Sequence, residues 1–347
     1  MKFFTKLLFW VILSVCFLFT GCGSAPVDSQ PVSETGLYFD TVITLTLYPD
    51  RENSISHLED VLDTCFQMAD TYENMLSRTK ENSDVWNMNH ADGAATTISD
   101  DTLTLLQTAL SYAKLSDGKV DPSIGVVSEE WDFSADSKKI PPEDSLILEK
   151  LSHVNYKNIQ IQGNEVTLTD PEMVLDLGFI AKGFIADQMK SYLQSEGINS
   201  AIINLGGNVL TLGSKTDGSD FKVGIQKPFS AQGESLCAVS TRDASVVSSG
   251  CYERYFEYGG KQYHHILNTA TGFPIENDLL EVTILSDSSM DGDALSTTCY
   301  CLGLEDGMAL INSLPDIEAI FVTRDDNLHY SSGLSENNLT FYGGKDS

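Results

Sequence analysis

Asp293 and Thr297 stand four residues apart in the stretch Ser288-Ser289-Met290-Asp291-Gly292-Asp293-Ala294-Leu295-Ser296-Thr297. A β-branched, apolar run at Val282–Leu285 precedes it and reads as a strand. The serine pair then offers an N-cap, and the residues from Ala294 to Leu302 read as a helix. At this spacing both side chains project from one helix face near its positively polarised first turn. A carboxylate beside a hydroxyl is a pair of hard oxygen ligands. They suit an ion such as Mg²⁺, which keeps waters and completes its shell from substrate phosphate. The same residues also make a capped helix start with a dipole-stabilising aspartate, and spacing alone favours that reading.

Four further stretches carry residue types that could join such a centre. Asp176-Leu177-Gly178-Phe179-Ile180-Ala181-Lys182-Gly183-Phe184 runs from an extended segment through a glycine into a helix start. Free N–H groups there favour an anion, and Lys182 adds a point charge that a helix start without a ligand would disfavour. The glycine spacing and Lys-Ser/Thr pair of a P-loop are absent. His264-His265 leaves a strand and enters the turn Asn268–Pro274, and a histidine at that place could deprotonate a hydroxyl at neutral pH. Adjacent strand residues point to opposite faces, so only one of the two can face a site. Asn204–Asn208 and Ser248–Tyr252 are small-residue corners, readable as close backbone approaches or as ordinary turns. No Gly-x-Ser-x-Gly elbow supports a serine hydrolase.

The elements that must position these residues follow from periodicity. Strands are predicted at Tyr38–Tyr48, Ile159–Gln162, Val166–Thr169, Met173–Leu177, Ala201–Leu205, Val209–Leu212, Phe221–Gln226, Leu236–Ser240 and Ser245–Val247. Gly259-Gly260 joins Tyr255–Tyr258 to Gln262–His264 as a hairpin, and Glu318–Thr323 and Leu339–Tyr342 complete the strands. Helices are predicted at Ser54–Met75, Asp100–Leu115, Glu143–Leu151, Ile180–Gln194 and Glu305–Ser313, with Leu76–Asn89 read as polar loop. The fold class is α+β, with mostly antiparallel or mixed sheets, packed helices, and no linker dividing one large domain.

The chain has 347 residues and a net charge of −29. Lys2 and Lys6 precede the apolar run Leu7–Phe19, which is short for a membrane span and ends at Gly21-Cys22. Residues 1–21 therefore read as a secretion signal, 22–36 as a flexible tether and 37–347 as the folded domain. So acidic a chain is a poor partner for nucleic acid or an anionic lipid surface, and any phosphate ligand must be held by local cations, a metal or backbone N–H groups. Seven cysteines, widely scattered, form no disulfide framework. Cys299 and Cys301 do not face each other on a helix and read as small core residues.

Taken together, the stretches resemble the ApbE family of flavin transferases. The resemblance runs in matching order through Phe39-Asp40-Thr41, Ser77-Arg78-Thr79, Val120-Asp121-Pro122, Asp176–Asp187, Asn204–Asn208, Gly224–Pro228, Ser249–Arg254, His265–Pro274 and Asp293–Thr297. Gly21-Cys22 is similar to a bacterial lipobox, which implies lipid on Cys22 and a cell-membrane anchor on the extracytoplasmic side.

The resemblance implies a fold of one large ApbE-like domain and an activity in which Mg²⁺-bound FAD is split at its pyrophosphate. FMN is then joined to a Thr or Ser hydroxyl of an acceptor flavoprotein, and AMP leaves. It implies metal ligation by Asp293, Thr297 and a backbone carbonyl at Phe179, and FAD contacts from Phe39, Thr79, Lys119, Val120, Asp121, Asp176, Lys182 and Ile266. His265 matches the family histidine and would be the base. An FAD pyrophosphatase giving FMN and AMP, or a flavin-binding lipoprotein without turnover, would use the same residues.

Overall fold

The computed structural model describes residues 30–134, 138–231, 233–335 and 338–342. Strands β1 (Val32–Tyr38) and β2 (Thr41–Leu47) form an N-terminal hairpin, followed by helices α1 (Ile55–Leu76) and α2 (Asp84–Asn89). The short strand β3 (Thr96–Thr97) leads into α3 (Asp100–Leu115), α4 (Gly125–Trp131) and α5 (Asp144–Leu151). Next come β4 (Ile159–Gln162), β5 (Glu165–Leu168) and α6 (Ala181–Ser195). Strands β6 (Ser200–Leu205), β7 (Asn208–Gly213), β8 (Phe221–Gln226), β9 (Ser235–Thr241) and β10 (Ser245–Gly250) follow, then the hairpin β11 (Tyr255–Tyr258) and β12 (Lys261–His264). The chain closes with β13 (Leu279–Ser286), α7 (Ser289–Leu302), α8 (Leu304–Ser313), β14 (Glu318–Thr323), β15 (Leu328–Tyr330) and β16 (Leu339–Phe341).

Eight strands pair antiparallel in the order β1-β2-β6-β7-β10-β13-β14-β15. The alternation read in β2 puts Ile43, Leu45 and Leu47 on the covered face, where they join Leu58, Val61, Leu62 and Phe66 of α1 and Phe184, Ile185 and Met189 of α6 in one core. The opposite face is covered toward its far end by a three-stranded sheet, β16-β9-β8, through Val223, Ile225, Cys237 and Val239 against Val246 and Ile320. A third cluster of Val127, Trp131, Ile147, Phe256 and Leu267 ties α4 and α5 to the β11–β12 hairpin.

Beyond the short unpredicted strands β3 and β15, the structure differs from the periodicity in four places. Val32–Tyr38 is a strand although it begins within the segment expected as tether. Its exposed residues Ser33, Glu34 and Thr35 are polar and its pairing to β2 is reinforced by Ser33–Thr46 and Thr35–Thr44 hydroxyl contacts, so an edge strand looks like linker in composition. The segment read as loop at Leu76–Asn89 contains α2, whose N-cap Ser83 accepts the Trp86 N–H at 2.9 Å. Helix α4 lacks a side-chain cap and was not expected. Met173–Leu177 keeps the alternate burial of a strand but forms only one isolated bridge, Ile124 to Val174. Its N–H groups go elsewhere: Leu175 donates to the Asn89 side chain and Asp176 to the Pro122 carbonyl, both at 2.7 Å.

Among the described residues no helix is long and apolar enough to cross a membrane. Residues 1–29, with the expected signal and Cys22, lie outside the described residues.

Candidate active site

A cavity of about 800 Å³ opens where the end of β10 meets the first turns of α6 and α7. Ten of the twelve residues expected in a site within the folded domain line it: Lys119, Val120, Asp121, Asp176, Phe179, Lys182, His265, Ile266, Asp293 and Thr297. Phe39 and Thr79 do not. Phe39 takes positive φ in the β1–β2 turn, with its N–H donated to Glu73 Oε1 at 2.7 Å, while its neighbours Leu37 and Asp40 reach the wall. Thr79 is exposed and turns both its N–H and its hydroxyl to Ser77 Oγ at 3.2 Å.

Helix α7 starts where the serine pair predicted, with Ser288 Oγ accepting the Asp291 N–H at 3.2 Å. One turn later Asp293 is only 4% exposed, and burial pushes its carboxyl up to about 6 even though Lys182 acts in the other direction. Its Oδ2 accepts the Gly183 N–H at 2.9 Å. Gly183 is the third residue of α6, where an N–H has no acceptor within the helix, and the Phe179 carbonyl just before the helix accepts no hydrogen bond among the described residues. Thr297 Oγ1 lies 3.1 Å from Ser249 Oγ, which is also 2.8 Å from Ser296 Oγ. Among the described residues no group of three or more His, Cys, Asp or Glu side chains could hold a metal. A desolvated carboxylate, a hydroxyl and a backbone carbonyl are nonetheless a hard-oxygen set that fits a small divalent cation completed by water and phosphate.

The two histidines part as strand alternation requires. His264 is buried, with Nε2 donating to the Ile275 carbonyl at 3.0 Å and Nδ1 accepting the Ile266 N–H at 3.3 Å, and burial lowers its pKa to about 4. His265 lines the cavity, and its Nδ1 lies 3.2 Å from the Arg254 carbonyl. A carbonyl only accepts, so Nδ1 carries the proton and Nε2 is the basic nitrogen. Desolvation, then Arg254 and His264, hold the ring's pKa well below 6.5, so it is neutral at pH 7.

The carboxylates on the opposite wall are already engaged. Asp121 accepts the Ser123 N–H at 2.8 Å, the Ser123 hydroxyl at 2.6 Å and the Tyr156 N–H at 2.9 Å, so its side chain holds the loop whose backbone borders the cavity. Asp176 accepts the Gly178 N–H at 2.8 Å through Oδ1 and pairs with Arg78 Nε at 3.2 Å through Oδ2.

This order of segments matches the ApbE family model over residues 39–321. The chain belongs to the ApbE family. It is 32% identical to the FAD:protein FMN transferase of Treponema pallidum over 94% of both chains. It is 35% identical to one from Klebsiella pneumoniae, covering 88% of this chain and 93% of the relative. The flavin transferase ApbE from Vibrio cholerae superposes with a TM-score of 0.78 at 26% identity, covering 87% of this chain and 97% of the other. The ApbE protein of Thermotoga maritima shares the fold at a TM-score of 0.80.

Some residues of this ApbE-family site escaped sequence reasoning as individuals. Arg78 sits between two expected motif residues and anchors Asp176 while also pairing with Glu129 at 2.8 Å. Arg254 lines the cavity with no ion pair among the described residues, and a lone arginine just before the β11–β12 hairpin gave no local signal. Gly183 sits against Ser289 so closely that a Cβ would overlap the Ser289 carbonyl, a contact visible only once α6 and α7 are packed.

Proposed function

We propose that the chain transfers the FMN moiety of FAD to a Thr or Ser hydroxyl of an acceptor flavoprotein outside the cytoplasm, with AMP as the leaving group and Mg²⁺ as the cation. The supporting observation is that one cavity brings together a neutral histidine, the cations Lys182 and Arg254 among others, and the hard-oxygen set of Asp293, Thr297 and Phe179. The names borne by the Treponema and Klebsiella relatives point the same way.

In this reading Lys182 and Arg254 meet the phosphates, which the acidic chain as a whole would repel. The Asp293 carboxylate, the Thr297 hydroxyl and the Phe179 carbonyl hold the cation. When bound, the cation neutralises charge on the bridging phosphate oxygens. His265 Nε2 takes the proton of the attacking hydroxyl, while the Arg254 carbonyl fixes the ring's tautomer through Nδ1. Ile266 and Val120 add apolar wall for the flavin or adenine ring. Lipid on Cys22 would tether the domain to the outer face of the cell membrane.

The experiment is release of AMP from FAD with Mg²⁺, measured with and without acceptor protein. Release that depends on acceptor supports transfer. Equal release without acceptor makes the chain a pyrophosphatase, and no release at all leaves a flavin-binding protein.

A further inference from the structure

Glu281 is fully buried, yet it belongs to neither the cation site nor the histidine. It lies on β13 at a β-bulge, where the register with β14 shifts between Leu279 and Glu281. Such bulges re-aim a side chain out of the regular ladder. Strand alternation puts Glu281 and Thr283 on the face opposite α7, between the large sheet and the small β8–β9–β16 sheet. Its Oε1 accepts the Thr283 hydroxyl at 3.1 Å, while Oε2 is buried without a hydrogen-bond partner among the described residues. Thr283 Oγ1 is in turn 2.8 Å from Ser248 Oγ, and Ser248 lines the cavity. The end of β10 thus sends adjacent serines in opposite directions, Ser249 toward Thr297 and Ser248 toward Glu281.

We infer that Glu281 is the proton store for the leaving group, delivering a proton into the cavity through Thr283 and Ser248. This rests on the transfer reading above. As the acceptor oxygen bonds to phosphorus, His265 takes the hydroxyl proton. The bond from phosphorus to the AMP oxygen breaks with its electron pair on that oxygen, which takes the Ser248 proton. Thr283 reprotonates Ser248, Glu281 reprotonates Thr283, and solvent reloads Glu281 after AMP leaves. Both hydroxyls can donate or accept, so the chain conducts in this direction once Glu281 is protonated and the Thr283 hydroxyl turns from Glu281 to Ser248.

The charge states suit the roles. Burial pushes the Glu281 carboxyl up to about 7, nearby Glu253 pushes it further, and the neighbouring hydroxyls of Ser248, Tyr252 and Thr283 act against the rise. The other titratable neighbours are Cys251, which follows β10, and Cys237 on β9, both thiols with raised pKa values and therefore neutral. Near neutral pH the base is empty while the store is at least partly loaded, the separation expected of a base and an acid sharing one reaction.

The test uses the full chain with FAD and Mg²⁺, following AMP release against pH. The wild-type rate should fall as pH rises through the Glu281 titration. Glu281→Gln keeps the shape but cannot donate a proton, so it should slow release at least tenfold, leave FAD affinity unchanged and lose that alkaline limb. Thr283→Val should do the same, and the double variant should add nothing further. An infrared band of a protonated, buried carboxyl should disappear as pH rises through neutrality and be missing in Glu281→Gln. An unchanged rate and alkaline limb in Thr283→Val would overturn the relay. So would a Glu281→Gln loss that tracks FAD affinity or melting temperature with the limb intact. Absence of the titrating band would overturn the store independently of turnover. A wild-type chain that keeps the band but releases no AMP overturns the transfer reading, and with it this role for Glu281.

Discussion

The Gly183 N–H donates to Asp293 Oδ2 across 2.9 Å and does not reach the Phe179 carbonyl four residues behind it. That hydrogen bond satisfies a first-turn N–H of α6 and orients the carboxylate of α7, while the Phe179 carbonyl just before α6 accepts no hydrogen bond among the described residues. The close approach of the helices depends on residue 183 having no side chain, since a Cβ would overlap the Ser289 carbonyl.

Gly183→Ala should separate α6 from α7 and draw Asp293 away from Phe179. Overpacking of this kind costs about 1–3 kcal/mol. Thermal melting should show the loss, and Mg²⁺-dependent AMP release should fall by more than the melting temperature alone explains.

Asp293 should make the metal-free chain pH-sensitive. Its pKa is about 6 when folded, against about 3.9 for an unfolded aspartate. The native state therefore holds the proton more tightly, and stability declines as pH rises from about 4 to about 6 and stays lower above that. Asp293→Asn should remove this cost and raise metal-free stability at pH 7, by on the order of 2–3 kcal/mol at most. Mg²⁺ should stabilise the wild type but not the variant, and turnover should be lost. Melting curves with and without Mg²⁺ across this pH range check both signs.

His265→Ala should lower the transfer rate by about 10²–10⁴-fold with little change in FAD affinity. The wild-type rate should rise with pH below 6.5, because the ring's pKa is held down, and the variant should lack that acid limb. His264→Ala should instead destabilise the fold, since both ring nitrogens are hydrogen-bonded in the interior, and leave the acid limb in place. Steady-state kinetics and melting of the two variants separate these outcomes.

Much of this arrangement was legible because its signals are local. The Ser288 cap and the i,i+4 spacing of Asp293 and Thr297 needed only their own helix, and strand alternation showed that only one of His264 and His265 could face the site, the resemblance pointing to His265. Contacts made by packing were not legible. Met173–Leu177 has the sequence of a strand, but Asn89 and Pro122 take N–H groups that a ladder would have used. Asp121 carries no local sign that its carboxylate accepts the N–H groups of Ser123 and Tyr156. Glu281 did leave a trace, a single charge inside the apolar run Leu279–Leu285, but its partners lie on another strand.

The anchor expectation concerns residues outside the described structure. Cys22→Ser should shift the protein from the membrane fraction to the soluble fraction while its AMP release stays intact. Fractionation followed by an activity assay checks this, and retention of the variant in membranes would assign the anchor to the apolar run Leu7–Phe19 instead.

The most direct measurement is mass spectrometry of a secreted or membrane flavoprotein acceptor after incubation with the chain, FAD and Mg²⁺. Covalent transfer predicts a gain of one FMN, less water, on a single Thr or Ser, with one AMP released per modified acceptor and neither product from the Asp293→Ala variant. AMP and free FMN appearing while the acceptor keeps its original mass would contradict transfer and leave hydrolysis as the reaction.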